Sequence, residues 1–139
     1  MTNIPVVQDR LGRLAQYVER LRRYQALRYE QFSENPETEL AVERILQLAT
    51  QIVIDIATHI VATASNKRPQ DYQEAIALLG EIGVVPAEFA DSIKSMAGFR
   101  NILVHGYMEI DETKVFERAQ RGISDFELFA QYINAWLEK

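Results

Sequence analysis

Val7, Leu11, Leu14, Val18 and Leu21 recur at intervals of three and four, the spacing that gathers apolar side chains on one face of an α-helix. This first helix is expected to continue through Leu27 to about Phe32. Ser33, Glu34, Asn35, Pro36 and Glu37 then read as a stop and a restart. Asn35 can cap free N–H groups, Pro36 suits a first helical position, and Glu37 and Glu39 favour the positive end of the helix dipole. The second helix is predicted to run to about Ala64. From Ile45 to Ala64 it is apolar on nearly every face, which a surface helix would not tolerate, so it should be the central and most buried one.

Ser65 to Gln70 form a polar loop. Asp71 with Glu74 three residues on resembles a capping box and predicts a short helix over Tyr72 to Ile82, ended by Gly83. Pro86 opens a fourth helix whose stripe is Phe89, Ile93, Met96, Phe99 and Leu103, with Gly106 as a left-handed cap. Asp111 caps a last helix along Val115, Ala119, Gly122, Phe126, Phe129, Ile133 and Trp136. No β-alternating run competes with these assignments. The expectation is an all-α, up-and-down four-helix bundle decorated by one additional short helix, spanning 1–139 as a single domain.

Composition adds limits to that picture. A chain of 139 residues, 47% hydrophobic and 25% charged, can bury one core but not two independent ones. The absence of cysteine excludes disulfides, thiolate metal sites and a cysteine nucleophile. The first residues lack an apolar signal-peptide core, and the run 51–64 is interrupted by Asp55 and His59, so a cytoplasmic protein is expected. The net charge of -5 implies repulsion of nucleic acid on average, but the charge is segregated. Residues 1–28 hold six arginines against Asp9 and Glu19, a net +4 that leaves -9 for the remainder. Arg10, Arg13, Arg20, Arg22, Arg23 and Arg28, with Tyr17, Tyr24 and Tyr29 between them, suit two roles. They can track phosphates and stack bases, or pair with neighbouring acids while their stems cover the core.

The densest chemistry lies in the segment from Gly98 to Tyr107. Arg100 offers a permanent charge that forks onto phosphate oxygens, and His105 can move a proton near neutral pH. Five residues separate them, about 7.5 Å along a helix axis and about 140° around it, so on a regular helix they do not face one way. Either the last turn distorts before Gly106, or a second subunit supplies its own copy across a two-fold axis. The plainer reading is that both cap C-terminal carbonyls and pair with acids nearby. Asp55 and His59, four apart on the apolar second helix, share one side of it. A buried Asp55 would need a partner, either Arg100 or His105 on a neighbouring helix or an internal packing pair. As metal ligands the two fall short of the usual count.

The run Arg100-Asn101-Ile102-Leu103-Val104-His105-Gly106-Tyr107 resembles the Arg-x4-His-x-Tyr signature of the HEPN superfamily, in particular its HepT-like members, which carry it late in a helical bundle. Residues 41–48, Asp55, His59, the Met96–Phe99 lead-in and the Tyr107–Asp111 exit are also similar to that family. The likeness covers most of the chain and is weakest over the first helix. It implies a homodimeric, metal-independent endoribonuclease toxin that needs no cofactor. Its partner would be a minimal nucleotidyltransferase antitoxin that transfers AMP to Tyr107. In that family frame His105 moves the proton, Arg100 stabilises charge on the phosphorus, and Asn101 and Asp55 support them. The rival from another class is a non-catalytic module that binds a nucleotidyltransferase with the same residues.

Overall fold

A helix with no wholly polar face needs neighbours on most sides, and the chain folds to provide them. In the computed structural model, which describes residues 1–139 except for the Tyr107 side chain, eight elements follow in order. They are α1 (Ile4–Arg22), α2 (Tyr29–Ser33), α3 (Pro36–Ala64), α4 (Tyr72–Glu81), α5 (Ala87–Ile93), α6 (Met96–His105), a 3-10 turn (Tyr107–Glu109) and α7 (Glu112–Leu137). The central helix α3 packs against α1, α2, α4, α6 and α7. Val53, Ala57, Ile60 and Val61 are wholly buried along it. By length and composition α3 passes for a membrane span, yet 56% of its most apolar window is buried inside this bundle. There is no strand among the described residues.

Helix starts follow the side-chain caps expected of them. Asn35 Oδ1 accepts from the Thr38 N–H at 3.2 Å, Asp71 Oδ1 from the Glu74 N–H at 2.7 Å, and Asp111 Oδ1 from the Thr113 N–H at 2.9 Å. Asn3 does the same for α1, accepting from the Val6 N–H at 3.1 Å, and Pro5 sits within the first turn. After α4, Gly83 turns the chain at φ 80°, a conformation that suits glycine.

Four expectations are corrected. The first helix does not reach Phe32: it ends at Arg22, the chain tightens through Tyr24 to Leu21 and Leu27 to Tyr24 bonds, and α2 starts separately. The break turns Phe32 into the core, where it packs 5.4 Å from Phe116, centroid to centroid. A straight α1 would carry that ring past the bundle. The short helix α4 is not a decoration, because Ala75, Ile76, Leu78 and Leu79 are buried beneath it.

The predicted fourth helix is two. Lys94 and Ser95 keep helical dihedrals, but the Ala97 N–H bonds the Lys94 carbonyl three residues back, and this tight turn redirects α6 from α5. Arg118 of α7 fastens the junction, donating to Ser95 Oγ at 3.2 Å and lying 5.2 Å over the Phe99 ring. Partial burial holds that guanidinium below its ordinary value. Finally, Gly106 is not left-handed; at φ -104° it passes straight into the 3-10 turn. What favours glycine there is room, since a Cβ would meet the Ile102 carbonyl oxygen at 3.3 Å.

The crossing of α4 and α5 supplies a test. A Cβ on Gly80 would lie 2.9 Å from Ala90 Cβ and 3.0 Å from Ala87 Cα, whereas one on Gly12 in α1 meets nothing within 4 Å. Gly80→Ala is expected to destabilise the fold by about 1–3 kcal/mol in urea denaturation. Gly12→Ala is expected to stabilise it by about 0.5–1 kcal/mol, because helix propensity acts there unopposed. Equal effects at the two positions would contradict the packing described.

Candidate active site

Helix α3 keeps one polar strip, and the candidate site is built upon it. Gln51 and Asp55 lie one turn apart, and the Gln51 Nε2 donates to Asp55 Oδ1 at 2.8 Å. The other end of the same amide accepts from Arg100 Nε at 2.7 Å across the α3–α6 contact. Chemistry fixes this amide's orientation: turned over, its NH2 would face a guanidinium that has only donors. Arg100 Nη1 donates to Asn101 Oδ1 at 3.0 Å, and its central carbon sits 5.6 Å from the Tyr72 ring centroid. Asp55, Gln51, Arg100 and Asn101 thus form a continuous hydrogen-bonded row, with Tyr72 at the start of α4 beneath the guanidinium. Two of the five guanidinium N–H donors are engaged among the described residues, and the group is half-exposed, so its fork is positioned yet open to an anion.

Sequence reasoning missed Gln51 and Tyr72. A polar residue one turn before Asp55 in an apolar helix was a signal for Gln51; none pointed to Tyr72, whose role arises from where α4 starts. The buried carboxylate expected at Asp55 is a correction. Asp55 is exposed, because α1 and α6 leave this strip of α3 uncovered. Asp55 reaches Arg100 through Gln51 and makes no ion pair with Arg100 or His59 among the described residues. His59 serves the fold. Its Nε2 accepts from the Asn3 backbone N–H at 3.0 Å, pinning the start of α1 to α3.

His105 is the last residue of α6 and is exposed. The Gly106 N–H bonds the Ile102 carbonyl at 2.9 Å, so the helix stays regular through His105 and its last turn does not distort. Arg100 and His105 therefore diverge by about 140° around the axis. Arg100 folds back onto α3, whereas Gly98, Asn101, Ile102 and His105 lie on exposed positions of α6. One chain alone does not bring the cation and the imidazole together. Tyr107 begins the 3-10 turn, and its side chain lies outside the described residues. No three His, Cys, Asp or Glu side chains gather in a metal-holding cluster among the described residues.

The six arginines of residues 1–28 differ in how they are paired. Arg22 is paired, at 2.9 Å to Glu19 and 2.7 Å to Glu127 of α7. Arg10 and Arg13 share the single carboxylate of Asp9 at 3.6 and 3.8 Å. Arg20, Arg23 and Arg28 make no ion pair among the described residues.

A family model for ribonuclease HepT-like proteins matches residues 14–133. The chain is 32% identical over 139 residues to a tRNA nuclease HepT of Aphanizomenon flos-aquae, covering 99% of this chain and 95% of that one. It is 32% identical over 105 residues to an mRNA nuclease HepT of Shewanella oneidensis, covering 76% and 79% respectively. Its fold superposes with a TM-score of 0.83 on a tri-AMPylated Shewanella oneidensis HEPN toxin solved in complex with its MNT antitoxin. That match has 27% identity and covers 94% of this chain and 97% of the other.

The Gln51–Arg100 contact can be measured directly. In Gln51→Ala the Arg100 Nε–H is expected to exchange with water roughly tenfold faster by NMR, the loss of one charge-assisted bond. An unchanged exchange rate would mean that Gln51 does not hold the guanidinium.

Proposed function

The chain belongs to the HepT-like ribonuclease family, and from that premise we propose that it is a metal-independent endoribonuclease toxin working as a homodimer. The observation that carries this reading is the regular α6, which presents Arg100, held in place, and His105, exposed, on different sides of one helix. A two-fold axis beside the exposed positions of α6 would set Arg100 of one copy near His105 of the other. The site is composite for that reason.

The chemistry follows from the residue types. A His105 imidazole takes the proton of a ribose 2′-hydroxyl, and the 2′-oxygen attacks the adjacent phosphorus. The bond from phosphorus to the 5′-oxygen breaks. The leaving 5′-oxygen takes up a proton, so the products are a 2′,3′-cyclic phosphate and a 5′-hydroxyl. Arg100 places its free N–H donors where negative charge grows on the phosphorane oxygens, and the Gln51–Asp55 row keeps it there without reorganisation. Asn101 holds the second edge of the same guanidinium. The imidazole and the guanidinium supply proton transfer and charge neutralisation between them, so no step calls for a metal ion or a cofactor. Only RNA carries the attacking hydroxyl.

Regulation belongs to the same reading. A nucleotidyltransferase antitoxin partner would present ATP to Tyr107. The phenolic oxygen attacks the α-phosphorus, the bond to the β-phosphate bridging oxygen breaks, pyrophosphate leaves and the phenolic proton is lost. The resulting anion, two residues from His105, would occupy the place of the substrate phosphate and draw on the same arginine. The AMPylated relative in complex with an MNT antitoxin supports the modification and the partner, and the motif position of Tyr107 supports it as the acceptor.

Unmodified protein incubated with RNA and EDTA tests the proposal. Cleavage is expected to persist in chelator, to leave cyclic phosphate ends, and to fall by about 10²-fold or more in His105→Ala with the fold intact. Wild-type protein of verified unmodified mass that leaves RNA uncut would overturn the nuclease and favour the binding module.

A further inference from the structure

The groove between α1 and α3 is a second feature of the same face. Arg10, Arg13 and Tyr17 form its α1 wall, and Leu48, Gln51 and Asp55 its α3 wall, around an open volume of about 270 Å³. Gln51 belongs to both places: it lines this groove and it holds Arg100. The groove therefore borders the candidate active site, one amide side chain away from the Arg100 guanidinium.

The chemistry of the two walls differs. Arg10 and Arg13 share the single, distant carboxylate of Asp9 and keep donors free. Tyr17 presents a half-buried ring between the walls. Along α1 the residues Arg10, Arg13, Tyr17 and Arg20 are spaced by three and four, so the basic and aromatic groups form one stripe. Arg20, one turn beyond Tyr17 on α1, and Arg44, one turn before Leu48 on α3, are both exposed. The α3 wall offers apolar Leu48 and an Asp55 carboxylate that accepts hydrogen bonds. Phosphates suit the first wall and bases the second.

We propose that this groove holds the single-stranded RNA flanking the scissile phosphate, with Arg10 and Arg13 on its phosphates and Tyr17 stacked on a base. The inference rests on the ribonuclease reading and deepens it. It explains how an acidic protein takes an RNA strand: attraction is confined to one stripe that ends at the reacting group. A duplex does not fit, because its bases are turned inward and unavailable to Tyr17 and Asp55. An acidic protein surface would use the arginines but has no use for the aromatic spacing or for the link to Arg100.

Binding and cleavage are measured separately. In the His105→Ala background, Arg10→Ala with Arg13→Ala is expected to weaken a fluorescent single-stranded RNA oligonucleotide about tenfold or more. The slope of log affinity against log salt should flatten by about 1.4, two phosphate contacts' worth. Tyr17→Ala should weaken binding roughly 5- to 100-fold, and Tyr17→Phe should restore it, since stacking needs the ring and not the hydroxyl. With His105 present, the arginine substitutions should lower kcat/KM on the oligonucleotide and leave cleavage of a dinucleotide unchanged. Unaltered RNA affinity and salt slope would overturn the inference while the nuclease stands. Loss of nucleotidyltransferase binding with RNA binding intact would overturn it too, assigning the groove to a protein. Wild type that leaves RNA uncut yet binds it through these three residues would sink the nuclease and keep the groove.

Discussion

Helix α3 must be covered on almost every side, and that requirement organises the molecule. Its buried residues Leu46, Val53, Ile56, Ile60 and Val61 face in several directions, so α1, α2, α4, α6 and α7 all pack against it. Crowding of this kind buries most of α3 from Ala49 to Val61. The strip that stays open carries Gln51 and Asp55, and the helices on its two flanks bring Arg10, Arg13 and Tyr17 from one side and Arg100 from the other. Position and chemistry are thus set together: the residues that reach Arg100 are those the core has no use for.

Much of the fold was legible in the sequence because helix caps are local devices. Asn35, Asp71 and Asp111 each act within three residues of themselves, and α3, α4 and α7 start where those residues predict. The breaks after Arg22 and at Lys94–Ser95 were not legible. A tight turn with bonds three residues back keeps apolar side chains nearly in phase, so Ile93, Met96 and Phe99 read as one stripe although they belong to two helices. What decides such a break is the partner each segment packs on, α4 for α5 and α3 for α6, which no local pattern records.

The candidate site divides in the same way. Arg100, His105 and Tyr107 stood out through their spacing and the family it resembles. Gln51 and Tyr72 did not, since their part depends on helices 20 or more residues away in the chain coming together. Asp55 was expected to be buried and is exposed, the error of treating an apolar helix as covered all round. The divergence of Arg100 and His105, anticipated from helix geometry, persists because α6 is regular to its last residue. A single chain carries the guanidinium and the imidazole on different sides of one helix.

That separation is the central claim, and subunit mixing tests it most directly. Arg100→Ala and His105→Ala proteins are each expected to be inactive alone on RNA. Unfolded and refolded together, they should regain about a quarter of the wild-type rate, since half the dimers are mixed and one of their two sites is whole. No recovery, with mixed dimers shown to form by mass, would contradict a site in which one copy supplies the arginine and the other the histidine.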